Sequence, residues 1–241
     1  MYWSVFYITT AYFLLGAIGI FLINRKKGGA GERWKKFFIY ALIVYGVENA
    51  IISVRPFPYL GAALMLVGAN EIVFVWRWHP GRKWYVLLVA ILLFAAISYG
   101  FYHFTKMGDE SLMQLYIYLV VLTFDGFSQV FGQLLGRHTF VKKISPNKTI
   151  EGALGGFFMA LCTAFLLRGF FNVDLVQLTL LTALMCVMAL VGDLFASWYK
   201  RLNNVKDYSN LIPGHGGVLD RFDSFIFTGA CWWAGNYLGW W

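Results

Sequence analysis

The 241-residue chain is 59% hydrophobic and 20% aromatic, and its 13% of charged residues is about half the share of an average soluble domain. The net charge of +8 sits in short clusters between long apolar runs. That arrangement argues against a soluble fold and against a nucleic-acid partner, and it marks the basic residues as topology signals or as ligands for anionic headgroups and phosphates.

Crossing about 30 Å of hydrocarbon takes roughly 20 apolar residues in a helix. The expected architecture is an all-α polytopic membrane protein, a single integral domain over residues 1–241 seated in the lipid bilayer. Eight spans are read in chain order, at 3–23, 37–54, 57–78, 84–102, 112–136, 151–171, 175–196 and 218–241. The first has no basic segment or small-residue cleavage site around it, so it reads as a retained helix rather than a signal peptide. Arg55–Pro58 is a short break between the second and third spans, where proline suits a turn. Glu48, Asn49, Asn70 and Glu71 fall inside the second and third spans. Packing between helices and contact with a substrate are equally open for them. Asp125 lies inside the fifth span. Cys162, Cys186 and Cys231 all lie in apolar runs, an arrangement unlike a disulfide framework or a metal cluster. Trp232, Trp233, Trp240 and Trp241 suit an outer interfacial belt.

Of the 20 lysines and arginines, 17 fall in or beside the connections after spans one, three, five and seven; only Arg55, Lys106 and Arg168 lie on the other side. The positive-inside rule then places both termini outside and these four connections in the cytoplasm. The small size and short loops lean towards a bacterial inner membrane.

Polar residues concentrate between Gly192 and Ser224. Asp193 closes the seventh span, with Ser197 one helical turn on and Lys200-Arg201 a further turn on. If the helix persists they share one side of it. Pro213-Gly214-His215-Gly216-Gly217 is incompatible with a regular helix, and its glycines permit close approach of the main chain to a ligand. A glycine-rich turn that feeds the start of the eighth span is a ready anion site. Asp220 and Asp223 lie three apart on that first turn. Carboxylates beside a phosphate site imply an intervening cation, and magnesium binds one or two carboxylates together with substrate phosphates. Each residue alone has a plainer explanation: an Asp at a helix start is usually a cap, a lysine between spans usually a topology charge. Their combination is what favours phosphate chemistry.

The segment resembles the phosphatidate cytidylyltransferases, or CDP-diacylglycerol synthases. Ser197, Lys200-Arg201, Lys206-Asp207, Pro213, His215-Gly216-Gly217 and Asp220-Arg221-Phe222-Asp223 stand at that family's spacing, with Tyr199 a mild departure. A second block, Ser145-Pro146-Asn147-Lys148-Thr149-Ile150-Glu151-Gly152 followed by Gly155-Gly156, is similar to another family stretch. In it Ser145 or Thr149 can cap the sixth span, and Lys148 offers an ammonium to phosphate. Asp125, Gly132 and Gly136 match a third block, where Ser128-Gln129 replaces an Ala-Tyr pair, a departure that bears on substrate detail. The likeness covers about residues 120–235, so 112–241 reads as the catalytic half and 1–111 as variable spans.

The resemblance implies a reaction of CTP with phosphatidate that gives CDP-diacylglycerol and pyrophosphate. By position it assigns Asp193 and Asp220 to a magnesium centre, with a second cation such as potassium, and Asp223 to a metal or supporting role. Lys148, Lys200, Arg201, Lys206 and Arg221 would hold phosphates. Ser145, Ser197, His215, Gly216, Gly217 and Asp125 complete the substrate site, and a homodimer is the family expectation. The competing readings are a CTP-dependent kinase of a lipid alcohol such as dolichol or phytol, and a transporter of a phosphorylated solute. The full His-Gly-Gly-x-x-Asp-Arg-x-Asp block favours the cytidylyltransferase over the kinase. Polar groups gathered at one membrane face rather than at the midplane disfavour transport.

Overall fold

The computed structural model describes residues 2–26, 30–78, 83–171 and 173–240. These form eight α-helices: α1 (Tyr2–Lys26), α2 (Ala30–Ile52), α3 (Phe57–Trp78), α4 (Trp84–Thr105), α5 (Ser111–Leu135), α6 (Ile150–Leu167), α7 (Leu175–Leu202) and α8 (Leu219–Tyr237). Among the described residues the only β pairing is two isolated bridges, Thr139 with Thr149 and Ile212 with Gly216. Five helices among the described residues are long and apolar enough to cross a membrane: α3, α4, α5, α6 with the turn after it, and α7. Lys27 and Arg82, two of the 17 basic residues in the expected cytoplasmic connections, and Trp241, expected at the outer interface, lie outside the described residues, as do the side chains of Arg25 and Lys26.

Each expected span has its helix, but three helices outrun the apolar stretch, the first of them α1, which continues through Arg25 to Lys26. α2 begins at Ala30, through Glu32, Arg33, Lys35 and Lys36, and α7 continues through Lys200 and Arg201 to Leu202. Backbone hydrogen bonding does not stop where hydrophobicity does, and Lys and Arg are good helix formers that complement the dipole at a carboxyl-terminal end. α8 stops earlier than expected. Gly239 adopts φ 71°, and the Trp240 N–H returns to the Gly235 carbonyl at 2.9 Å, a left-handed turn that ends the helix.

α5 is the centre, buried without a break from Gln114 to Val121 and in contact with α2, α6, α7 and α8. α5 and α6 approach most closely, through small residues. A Cβ on Gly152 would lie 2.6 Å from the Ser128 carbonyl oxygen, and one on Gly156 2.5 Å from that of Phe124 and closer still to the Ser128 hydroxyl. Close packing of this kind holds apolar helices together where lipid offers no hydrophobic drive. Polar bonds tie further pairs: Tyr116 to Thr182 at 2.7 Å, Thr163 to Thr123 at 3.1 Å, and Thr9 of α1 to Glu48 of α2 at 2.6 Å. Glu48 thus serves helix pairing, whereas Asn70 turns back on the Leu66 carbonyl of its own helix. Phe57, Phe101, Phe104 and Phe225 form an aromatic cluster between α3, α4 and α8. Trp232 is 5% exposed and belongs to this helix core rather than to an interfacial belt.

Long-range contacts gather one set of helix ends: the starts of α2, α6 and α8, and the closing turns of α3, α5 and α7. The motif residues are built on these ends.

Candidate active site

The first half of the site is made by α6 and α7. Thr149 caps α6, its hydroxyl accepting from the Gly152 N–H at 3.1 Å, so of the two candidate caps it is Thr149 and not Ser145 that serves. Ser145 instead accepts the Lys148 N–H on its carbonyl, closing the turn before α6. The connection is pinned from the other side by Glu151, which accepts the Arg137 N–H at 3.0 Å and meets His138 Nδ1 at 2.5 Å. Held at both ends, this segment delivers Lys148 to an ion pair with Asp193 of α7. Ser197, one turn further along α7, donates to the other Asp193 oxygen at 3.2 Å.

The second half is made by α7, the 203–218 connection and α8. Lys200 Nζ donates to Asp220 Oδ1 at 2.6 Å and sits 5.1 Å from the ring centre of Tyr208. Asp220 Oδ2 accepts the N–H groups of Tyr208 at 2.7 Å and Gly217 at 2.9 Å. Gly214 and Gly216 adopt φ of 78° and 82°, which lets the chain double back into the Ile212–Gly216 bridge beside Asp220. His215 stacks on Tyr40 of α2, ring centres 5.8 Å apart, and burial together with the charge of Arg221 holds its pKa below the ordinary histidine value. It is therefore neutral near pH 7, a hydrogen-bonding group rather than a cation.

One expectation is corrected here. The amino terminus of α8 is not a free anion site, because the protein supplies its own anion. Glu71 of α3, 3% exposed, accepts from the Val218 N–H at 2.9 Å, the Leu219 N–H at 2.7 Å and the Ser209 hydroxyl at 2.5 Å. Val218 has no side chain that can cap a helix, and Glu71 acts in its place from 147 residues away.

Asp125 and Asp223 complete a group of carboxylates with Asp193. The negative charge of Asp193 acts on both Asp125 and Asp223, with Lys148 and Arg221 as countercharges to the first and Lys200 to the second. Asp223 Oδ1 accepts the Ser224 N–H at 2.7 Å, and its buried Oδ2 has no hydrogen-bond partner among the described residues. Asp223 also borders an apolar cavity of about 250 Å³ between α3, α4, α7 and α8, lined by Phe94, Ile97, Trp198 and Phe227 among others. Among the described residues no three Asp, Glu, His or Cys side chains converge on one metal position. A cation that takes one or two carboxylates and the rest of its oxygens from phosphates still fits. Asp223 offers an uncommitted oxygen, while both Asp220 oxygens are engaged and Asp193 holds Lys148.

The remaining motif residues divide. Arg201 Nε and an Arg201 terminal nitrogen donate to the carbonyls of Ile144 at 3.1 Å and Val205 at 2.7 Å, tying the end of α7 to the connection that carries Lys148. Thus Lys200 and Arg201, expected on one side of the helix with Asp193, turn to different partners. Lys206 and Arg221 are exposed beside the same end. Gln129 is exposed and Ser128 packs against Gly156, so this departure from the family pattern lies at the α5–α6 contact. The roles of Glu71, Tyr40 and the Tyr208 N–H were not read from the sequence. The one signal was an acid inside an apolar span at Glu71.

A family model described as the cytidylyltransferase family matches residues 2–237. Phosphatidate cytidylyltransferase of Staphylococcus haemolyticus (strain JCSC1435) is 41% identical over 137 residues, 56% of this chain and 53% of the relative. That of Staphylococcus saprophyticus is 39% identical over 141 residues, 57% and 54%, and that of Staphylococcus aureus (strain COL) 40% over 137 residues, 56% and 53%. The chain spans about half the length of the curated relatives it matches.

Proposed function

This chain belongs to the cytidylyltransferase family, and from that premise we propose that it is a membrane-embedded phosphatidate cytidylyltransferase. It takes CTP and phosphatidate to CDP-diacylglycerol and pyrophosphate, at the cytoplasmic ends of eight spans in a bacterial inner membrane. The observation that carries this reading is the pair of lysine–carboxylate contacts, Lys148 with Asp193 and Lys200 with Asp220, brought together from two sequence blocks.

In the proposed step a phosphate oxygen of phosphatidate bonds to the α-phosphorus of CTP. The bond from that phosphorus to the oxygen bridging the β-phosphate breaks, and its electron pair leaves with pyrophosphate. The attacking oxygen is already ionised, so no strong general base is required; alignment and neutralisation of charge do most of the work. Lys148 and Lys200 are held ready by carboxylates and exchange them for phosphate oxygens as substrate enters. Arg221 and Lys206 add charge at the exposed rim, and Arg201 keeps the Lys148 segment in place. His215, uncharged, contacts nucleotide or phosphate by hydrogen bonding. Asp193 and Asp223 are the side chains that would hold magnesium, with Asp220 joining them when Lys200 turns to phosphate. The cation supplies neutralisation of charge on the triphosphate.

Purified protein given CTP, phosphatidate and magnesium is expected to release pyrophosphate and form a CDP-lipid. With dolichol or phytol supplied as acceptor in a parallel assay, release of CDP and the phosphorylated alcohol would establish the kinase instead, and absence of either product with solute uptake into vesicles would establish transport.

A further inference from the structure

Glu71 lies in the part of the chain outside the motif blocks, yet it is as heavily engaged as the motif carboxylate Asp220, each taking three hydrogen bonds. It accepts three hydrogen bonds and donates none, the pattern of an ionised carboxylate. Its placement is over-determined. Tyr199 of α7 donates its hydroxyl to the carbonyl of the adjacent Ile72 at 2.9 Å, which fixes α3 against α7. Gly217 leaves room for the carboxylate, since a Cβ there would lie 2.5 Å from Glu71 Oε1. The next amide, that of Gly217, is taken by Asp220. Consecutive N–H groups from Gly217 to Leu219 are thus shared between one motif carboxylate and one carboxylate from α3.

We infer that Glu71 is a positioning residue: the resident anion of the α8 amino terminus, which locks the His215-Gly216-Gly217 turn against Asp220 and keeps substrate phosphates off these amides. Phosphate is thereby directed to Lys148 and Lys200, whose partners are single carboxylates that phosphate can replace. Without Glu71 the α8 start would attract phosphate itself, and the triphosphate would sit out of line with the attacking lipid. The consequence for turnover rests on the cytidylyltransferase reading; the anion-holding role does not.

The test uses the full chain in detergent or vesicles, with formate as probe. In Glu71→Ala the amides of Val218 and Leu219 are expected to exchange hydrogen roughly tenfold faster, and formate at tens of millimolar to slow them again. Because a misplacement of about 1 Å can cost about 10²-fold in rate, kcat should fall by that order and formate should restore part of it, with no effect of formate on wild type. Glu71→Gln keeps the fold and two of the bonds but sets an NH2 group against the Leu219 N–H. It should lose roughly tenfold in kcat with little change in the KM for CTP, the split expected of lost transition-state alignment. Wild-type kcat in Glu71→Gln, or unchanged exchange at Val218 and Leu219 in Glu71→Ala, would overturn the inference. A wild type that releases no pyrophosphate overturns the functional reading instead, and the exchange measurement still decides whether Glu71 holds the α8 terminus.

Discussion

Lys200 Nζ lies 2.6 Å from Asp220 Oδ1, with the two side chains 8% and 2% exposed, so an ion pair from two ends of one motif is almost wholly withdrawn from water. Such a pair is weak evidence for stability, because desolvation offsets much of the attraction, but removing one partner strands the other. Lys200→Met and Asp220→Asn are each expected to lower stability, by about 3–5 kcal/mol where a buried charge is left alone. In Asp220→Asn the amides of Tyr208 and Gly217 keep an acceptor, so the turn survives better than in Asp220→Ala. Thermal unfolding of the two single mutants and the double should be non-additive, the double losing less than the sum. Additive losses would mean the pair is not coupled.

The contact between Lys148 and Asp193 predicts a different outcome, because Asp193 keeps its Ser197 bond when changed to asparagine. Asp193→Asn should unfold at nearly the wild-type temperature and lose turnover by roughly 10²-fold or more, as expected when a charge-organising group is removed from a site of phosphoryl chemistry. Lys148→Ala should raise the KM for CTP more than it destabilises the fold. Steady-state kinetics across a magnesium titration checks both. Turnover retained by Asp193→Asn at all magnesium concentrations would remove it from the cation's ligands.

These two pairs also show what the sequence could and could not convey. Residues at fixed short spacing were legible: Asp193 with Ser197 on one helix face, the Gly214–Gly217 turn, and the start of α8. Helix positions were legible because apolar runs of span length leave few alternatives, with errors at α1, α2 and α7 where charged residues continue the helix. The partner of Glu71 was not legible, since the bond joins α3 to a backbone amide 147 residues away and no side chain at Val218 advertises it. The same holds for Tyr40 against His215. Backbone donors carry no residue-type signal, so the α8 terminus looked free for phosphate when it was already capped.

His215 gives a pH dependence whose sign can be worked out. Burial and Arg221 depress its folded pKa below the ordinary value of 6.5. Below that value the unfolded chain binds a proton that the fold resists, so stability is full above about pH 6.5 and falls as the pH drops towards the folded pKa. His215→Gln removes the titrating group. The wild-type melting temperature should therefore drop more than that of His215→Gln between pH 7.5 and 5.5, as thermal melts of both proteins would show. Parallel profiles would place the titration elsewhere.

The contact of α5 with α6 supports a prediction with an internal control. A Cβ added at Gly156 meets the Phe124 carbonyl oxygen at 2.5 Å and the Ser128 hydroxyl more closely, so the helices must move apart. Forcing atoms into a packed interface costs about 1–3 kcal/mol, and more when the obstacle is backbone. Gly126, on α5 itself, has nothing within 4 Å of an added Cβ. There alanine should be neutral or stabilising by up to about 1 kcal/mol, through helix propensity alone. Gly156→Ala should also reduce turnover, because Lys148 stands just before the Thr149 cap of α6 and α5 carries Asp125. Separating the two helices displaces both from Asp193. Melting temperatures and initial rates of the two alanine variants, measured side by side, distinguish this from a general intolerance of larger residues in these spans. Equal behaviour at the two glycines would show that the close approach of α5 to α6 is not what aligns the site.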